Sequence, residues 1–466
     1  MDSEPINVLR SLRSALVASS IAQPPTLREA FRVLRFALNL ALLRRTWIDG
    51  EACALPSTPP LDPLVAELTT LGAKRLTQLN AEAALAMAQR HLPSILACEA
   101  WAEAHWNAEA VARETGSAKL AIALGGGGGS SFIALGAVDL LDGMGIHPSL
   151  LAGASMGSIL SAFRARQLMY QVESVIEETL ELTPERVFGV STLKSRYSIP
   201  ATVRLTFQRG LGPFFRNEEG FGLKLNEMAI PLRIVVSGLV GEPPRDLNFY
   251  QHLLDKSWTG RSVRRLVFNF TRLGAEFVFG DSTLKTMAFG GDELSGGLGE
   301  VDAIGFSSSI PGVIHYDVER HDDDTHARLT ELMQRYGVSR LLDGGFSENV
   351  PALTCREAIG EGVTGQSHTL VLGLDGFAPN LLHLPLWLPA QQLLRVQVAR
   401  ARQVADHWHA FREPLSPLRV VPGPKTMRAI LQTGREAFAS QALEIEEAMA
   451  SPRHDYERFK RRLTQP

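Results

Sequence analysis

Three cysteines, Cys53, Cys98 and Cys355, are all that the 466 residues contain, and no two of them stand at a redox-pair or zinc-ligand spacing. That scarcity sets aside a disulfide framework and a thiolate metal site, and it fits a reducing compartment. Positive charge is not in excess either. Lys and Arg number 47 against 50 Asp and Glu, a formal net charge of -3, so nucleic acid meets no global basic footprint. No run of about 18 apolar residues is present to span a bilayer. The first thirty residues scatter Asp2, Glu4, Arg10, Arg13, Arg28 and Glu29 among short apolar stretches, unlike a secretory leader. The expectation is a cytoplasmic protein, soluble or peripheral on membranes. What the chain does have is core: 45% of its residues are apolar, and its length holds more than one unit at the usual size of about 100–200 residues per domain.

Residues 1–115 read as a helical N-terminal domain. Thr26 followed by Glu29 has the spacing of a capping box, in which each side chain satisfies a free backbone N–H of the first turn. Behind it Leu27, Phe31, Leu34, Leu38 and Leu42 recur at helical spacing, and Val33, Phe36, Leu40 and Leu43 widen the apolar face. The pattern predicts a helix buried on most sides, and core is a commoner fate for such a face than membrane insertion. A connector carrying Pro56, Pro59, Pro60 and Pro63 precedes an Ala-rich helical stretch, interrupted near Pro93 and continuing to about Arg113. From Lys119 the texture changes. Short β-prone runs at 119–124, 149–152, 232–237, 339–342 and 369–374 alternate with helical segments, which predicts an α/β domain over 116–380 whose mainly parallel sheet is covered by helices. Residues 381–466 return to helix and are expected to pack on that domain.

Two glycine-bearing turns carry chemistry. The strand candidate Ala121–Leu124 runs into Gly125–Gly129, Ser130 and Ser131, and then into a helix with Phe132, Leu135, Val138 and Leu141 on one face. Strand, glycines and helix start together expose backbone N–H groups where an anion can be held. Alone, the loop is equally compatible with a linker or a nucleotide cradle, although no Lys follows to serve a triphosphate. Farther on, Gly153-Ala154-Ser155-Met156-Gly157 lies between a strand-like and a helix-prone segment. G-x-S-x-G in that context is a nucleophile elbow, a sharp turn that lifts the Ser155 Oγ clear of the backbone. For an acid, Asp343-Gly344-Gly345 follows the strand-like Arg340-Leu341-Leu342 and sets a carboxylate at the sheet edge where ligands of open α/β sheets gather. A Ser-His-Asp hydrolase would add a base, but none of His315, His321, His326, His368, His383, His407 and His409 has a context that marks it as one.

GGGGGSS at 125–131, GASMG at 153–157, SSSIPGVIHY at 307–316 and DGGFSENVP at 343–351 resemble, in order, the successive motifs of the patatin-like phospholipases. The resemblance covers about 119–375. It implies a three-layer α/β/α sandwich with a mainly parallel central sheet, here joined to helical N- and C-terminal parts. It also implies a lipid acyl hydrolase acting on phospholipids or acylglycerols through a Ser155–Asp343 dyad. The oxyanion hole would then come from Gly127, Gly128 and Gly129 of the glycine motif and the Met156 amide, with Gly126, Gly153, Gly157, Gly344 and Gly345 flanking. No cofactor or metal is required by that chemistry. One departure stands out: many members carry Arg or Lys where this chain has Ser130, and Gly where it has Ser131. A group of triacylglycerol lipases in the same broad family also lacks the basic residue, so a phospholipid substrate does not follow automatically. A catalytically silent module that binds lipid or a protein is the alternative that these two serines favour.

Because an ordinary aspartate, with a pKa of about 3.9, is a poor base at neutral pH, the dyad predicts that burial raises the Asp343 pKa or that the oxyanion hole carries much of the rate. Three further features are weaker. Val263, Leu266, Val267, Phe270 and Phe277 fall on one helical face of 261–277, opposite Arg261, Arg264, Arg265 and Arg272, a pattern of either a membrane-touching helix or lid, or a helix packed on the sheet. His321-Asp322-Asp323-Asp324 with His326 reads as a solvated loop or a cation site, and its spacing matches no known calcium loop. Cys355 reads as a packed thiol.

Overall fold

The computed structural model describes residues 4–48, 51–55, 61–191, 194–201, 203–241, 284–311, 313–319, 322–378, 388–412 and 415–464. The stretch 261–277, with His321 and His383, lies outside these residues. Five helices come first: α1 (Glu4–Ile21), α2 (Glu29–Leu42), α3 (Asp62–Leu76), α4 (Ala81–His105) and α5 (Ala108–Thr115). As its pattern predicts, α2 is buried on nearly every side from Ala30 to Ala41. Its entry differs from the capping-box expectation. Thr26 and Leu27 lie in a 3-10 turn, Leu27 is 48% exposed, and Arg28 takes the N-cap without a side-chain bond. Pro24 and Pro25 impose that turn, since Pro fixes φ and offers no N–H. Pro93 does not break α4. Both Pro93 and Gln89, whose carbonyl loses its helical partner, lie on the exposed side, where water can take the freed acceptor.

Twelve strands occur among the described residues. A hairpin of β1 (Arg45–Ile48) and β2 (Glu51–Ala54) stands within the helical region, too short to leave a periodic signal. Then follow β3 (Lys119–Leu124), β4 (Leu150–Ala154), β5 (Phe188–Val190), β6 (Val203–Leu205), β7 (Leu232–Val240), β8 (Leu284–Phe289), β9 (Ile314–His315), β10 (Val338–Asp343), β11 (Thr369–Asp375) and β12 (His407–Ala410). The large sheet runs parallel in the order β7-β4-β3-β11-β12, with β8 and β10 antiparallel to β7. In β3, Leu120, Ile122 and Leu124 pack with α6 (Ile133–Gly143), α7 (Met156–Ala165) and the Pro424–Met449 helix. Ala121 and Ala123 face the other way, onto Cys355, Ala358 and Ile359 of the Ala352–Gly360 helix and Ala401 of the Leu388–Val404 helix. This alternation is the period of two of a pleated strand, and it makes three layers of helix, sheet and helix.

β7 decides where the site forms. One edge pairs with β8 over Ile234–Leu239, so its other partners must share the remaining edge. There Val235 pairs with Ala154 of β4, and Val236, the next residue, pairs with Asp343 of β10. The carboxyl ends of β4 and β10 therefore meet head-on.

Two helices of the C-terminal part rest on the α/β domain as expected, Leu388–Val404 through Ala401 on one face of the sheet and Pro424–Met449 against α6 on the other. Two elements differ. β12 joins the sheet beside β11. The Arg453–Thr464 helix instead places Tyr456 and Phe459 in the core of the N-terminal helices, with the Tyr456 ring stacked 4.0 Å from Phe36. Aromatic area of that size is buried where it fits, and α2 presents Phe36 there.

Candidate active site

Ser155 has φ 52° and ψ -128°, and it is the one non-glycine residue of positive φ among those described. A residue with a Cβ in that region is strained by about 1–3 kcal/mol, and it persists only where its surroundings over-determine it. The surroundings here are specific. Gly157 packs so closely on the end of β3 that a Cβ would overlap the Leu124 carbonyl, and a Cβ on Gly153 would overlap that of Gly157. The Ser155 N–H donates to Ser307 Oγ at 2.9 Å, and Ser307 Oγ in turn donates to the Val235 carbonyl at 2.7 Å. The elbow is thus tied to β7 through a serine at the end of the Glu300–Ser307 helix.

Asp343 is clamped at its backbone and buried at its carboxyl. Its N–H donates to the Ser309 carbonyl at 2.7 Å, and its carbonyl accepts the Ser237 hydroxyl at 2.7 Å. Oδ1 accepts the Gly345 N–H at 2.8 Å, while Oδ2 is buried and accepts no hydrogen bond among the described residues. The residue is only 5% exposed. Burial pushes its carboxyl up to about 7, against the opposing pull of the Ser155 hydroxyl and the Gly345 amide. The Ser155 hydroxyl is near enough to act on the carboxyl.

The glycine loop lies against this pair. A Cβ on Gly126 would stand 2.8 Å from the Ser155 Cβ and 2.9 Å from Asn349 Oδ1. Its N–H groups have unequal fates. Gly125 donates to the Leu374 carbonyl and Gly126 to the Asn349 carbonyl, both at 3.0 Å. Gly129, expected as an oxyanion donor, is already engaged: its N–H donates to the Pro417 carbonyl at 2.9 Å. The amides of Gly127, Gly128 and Met156 have no acceptor among the described residues. The Gly127 carbonyl accepts the Ser130 hydroxyl at 2.7 Å, so Ser130 ties the loop to itself. Ser131 is buried, and its Oγ has no partner among the described residues. Gly344 and Gly345 turn the chain after Asp343; a Cβ on Gly344 would overlap the Val235 carbonyl.

The roles of Ser307, Ser237 and Asn349 escape sequence reasoning. Ser307 and Asn349 stand inside two of the quoted motifs, which is the available signal; Ser237, inside an apolar strand, gives none. The described histidines are occupied elsewhere: His315 accepts the Ala201 N–H, His326 bonds the Tyr197 hydroxyl, His409 bonds Gln441, and none bonds Ser155 or Asp343. His368 and His407 are buried beside Arg13 and Asp406. Asp322 caps the Asp323–Tyr336 helix by accepting the Asp324 and Thr325 amides, and no group of three metal-type ligands gathers among the described residues. Cys355 is fully buried, and burial pushes its thiol up. No helix among the described residues is long and apolar enough to cross a membrane.

A family model described as patatin-like phospholipase matches residues 122–356, half of the chain, from β3 into the helix that follows Asp343. No curated protein matches the chain.

Proposed function

Since the chain belongs to the patatin-like phospholipase family, whose members are lipid acyl hydrolases, we propose that it cleaves carboxylic ester bonds of phospholipids or acylglycerols through an acyl-enzyme on Ser155. The observation that carries the reading is a buried carboxyl of pKa about 7, Asp343, acting on the hydroxyl of a strained serine. A general base works best when its pKa lies near the operating pH, and burial supplies that value without a histidine.

In this mechanism ionised Asp343 takes the Ser155 proton as Oγ bonds to the ester carbonyl carbon. The carbonyl oxygen becomes an oxyanion and accepts hydrogen bonds from the free Gly127, Gly128 and Met156 amides. Collapse breaks the ester C–O bond, and the departing alcohol takes the proton from Asp343. Water then gives a proton to Asp343 and attacks the acyl carbon. The second collapse releases the carboxylic acid and returns the proton to Ser155.

The test is covalent capture by a fluorophosphonate, then product analysis on mixed phospholipids and neutral glycerides. Labelling of the wild type at Ser155, abolished in Ser155→Ala, with release of fatty acid from one of the two lipid classes, is the expected result. A folded wild type that takes no label and frees no fatty acid would leave a silent binding module in its place.

A further inference from the structure

We propose that the Ser416–Arg419 turn, outside the family-matched stretch, is a positioning element for the glycine loop: its Pro417 carbonyl holds Gly129 and thereby fixes the free Gly127 and Gly128 amides beside Ser155. The inference rests on the acyl-hydrolase reading above.

The turn is closed by the Arg419 N–H donating to the Ser416 carbonyl at 2.9 Å, with Pro417 in the position whose φ such turns require. Pro417 is buried, whereas Ser416, Leu418 and Arg419 are exposed, so the proline is the inward tip. Its carbonyl accepts the Gly129 N–H. Backbone lies directly on backbone there. A Cβ on Gly128 would overlap the Pro417 carbonyl oxygen, and one on Gly129 would overlap that of Arg419 and stand 2.5 Å from that of Ser416. Phe377 closes on Gly127 from another side, its Cβ 2.7 Å from where a Gly127 Cβ would stand. The Ser130 hydroxyl holds the Gly127 carbonyl. With these ties made, the Gly127 and Gly128 amides are what the loop leaves unspent.

The turn is itself anchored on both sides. Upstream, β12 is paired into the sheet and the Phe411 N–H donates to the Asp375 carbonyl at 3.0 Å. Downstream, the Pro424–Met449 helix crosses α6 with Gly434 against Gly136, so close that a Cβ on either would overlap a carbonyl of the other helix. Arg435 bonds Asp139 of α6 at 2.5 Å. Because α6 is the helix that leaves the glycine loop, the loop and the turn pressed on it are held by one clamp. Donors aimed in advance stabilise a developing oxyanion without reorganising, so a loosened clamp lowers kcat and leaves ground-state binding of the ester alone.

The experiment compares the full-length wild type with two variants, Pro417→Gly and the fourfold replacement of Ser416, Pro417, Leu418 and Arg419 by glycine. Measured are kcat and KM on a soluble p-nitrophenyl ester, affinity for an alkyl boronic acid that mimics the tetrahedral state, hydrogen exchange of the 127–130 amides, and the unfolding midpoint. Expected for the fourfold variant is a kcat lower by about 10–100-fold, below the loss of a whole donor. KM should stay within about twofold, boronate affinity should fall with kcat, and the Gly129 amide should exchange faster. Pro417→Gly, which leaves the other three turn residues in place and serves if the larger change does not fold, should move each quantity the same way by less. A wild type labelled at Ser155 whose kcat and boronate affinity both variants leave unchanged overturns the turn's role alone, as does a loss confined to KM. A wild type that takes no label at Ser155 overturns the enzymatic reading and this inference with it.

Discussion

A carboxyl as buried as that of Asp343, a residue only 5% exposed, is costly to ionise, and in the proposed mechanism that cost is what makes it useful. Burial raises its pKa from the ordinary carboxylate range to about 7, outweighing the Ser155 hydroxyl and the Gly345 amide that favour the charge. The sign follows directly. In the proposed mechanism the base is active when ionised, so kcat/KM should rise about tenfold per pH unit below 7 and level off above it, and a profile flat from pH 5 to 9 would contradict the proposal. Asp343→Asn keeps the shape but removes the base, and it should lose about 10³-fold or more in turnover. Relative to the wild type the same variant should gain stability as pH rises from the unfolded carboxylate value of about 4 to about 7 and keep that gain above it, because the native chain must hold a proton that the unfolded chain releases or bury a charge that the unfolded chain hydrates. Comparing urea midpoints at pH 5 and 8 checks that gain. Ser155 stores strain of a different kind. Ser155→Gly relieves the positive φ, whereas Ser155→Ala keeps the Cβ; the glycine variant should be the more stable of the two by about 1 kcal/mol, and equal midpoints would argue against stored strain.

One edge of β7 brings two distant residues together, and that edge explains which features were readable in advance. The elbow and the glycine loop are local turn chemistry: glycines, a serine and the neighbouring strand and helix all stand within one short window, so sequence exposes them. The five β-prone runs each overlap a strand of the large sheet for the same reason, being continuous apolar segments. The head-on meeting of β4 and β10 is not local. Nothing in Arg340–Asp343 says that β10 runs antiparallel to β7 or that its last residue pairs one position beyond the partner of Ala154. Likewise β12, at His407–Ala410, is too short and polar to declare itself, and the engagement of Gly129 depends on a proline 288 residues away. Ser307 is the element-level hinge of this arrangement, since one hydroxyl accepts from the elbow and donates to β7. Ser307→Ala removes both bonds and leaves the Ser155 amide without a partner. A drop of about 10-fold or more in the rate of fluorophosphonate labelling is expected, with a stability loss of about 1–3 kcal/mol. An unaltered labelling rate would mean that the elbow holds its shape by glycine packing alone.

Across the whole molecule the N-terminal helices and the sheet are bolted through Asp406, which sits just before β12. Its carboxylate accepts Arg13 of α1 at 2.8 Å, Arg356 at 2.5 Å and the Val371 N–H of β11 at 2.8 Å, and its side chain is 1% exposed. Burial pushes this carboxyl up, but Arg356 and Arg13 together with the Val371 amide outweigh it and hold it well below the usual carboxylate range. A second set of ion pairs joins Arg32 and Arg35 of α2 to Glu447, and Arg32 also to Asp455, tying the same helices to the C-terminal part. A buried ion pair with one partner removed is worse than no pair, because the surviving guanidinium keeps its desolvation and loses its counter-charge. Asp406→Ala removes the counter-charge that Arg13 and Arg356 share and the acceptor of the Val371 amide, and it should cost about 3–5 kcal/mol in denaturant unfolding. The carboxyl's depressed pKa makes its contribution present above the unfolded value of about 4 and lost as pH falls below it. The wild type should therefore destabilise more steeply than the variant between pH 5 and 3. Because β12 leads directly into the turn that holds the glycine loop, loosening this bolt should also slow Ser155 labelling before the protein unfolds. Labelling that stays at the wild-type rate until the global midpoint would show that the bolt serves stability alone.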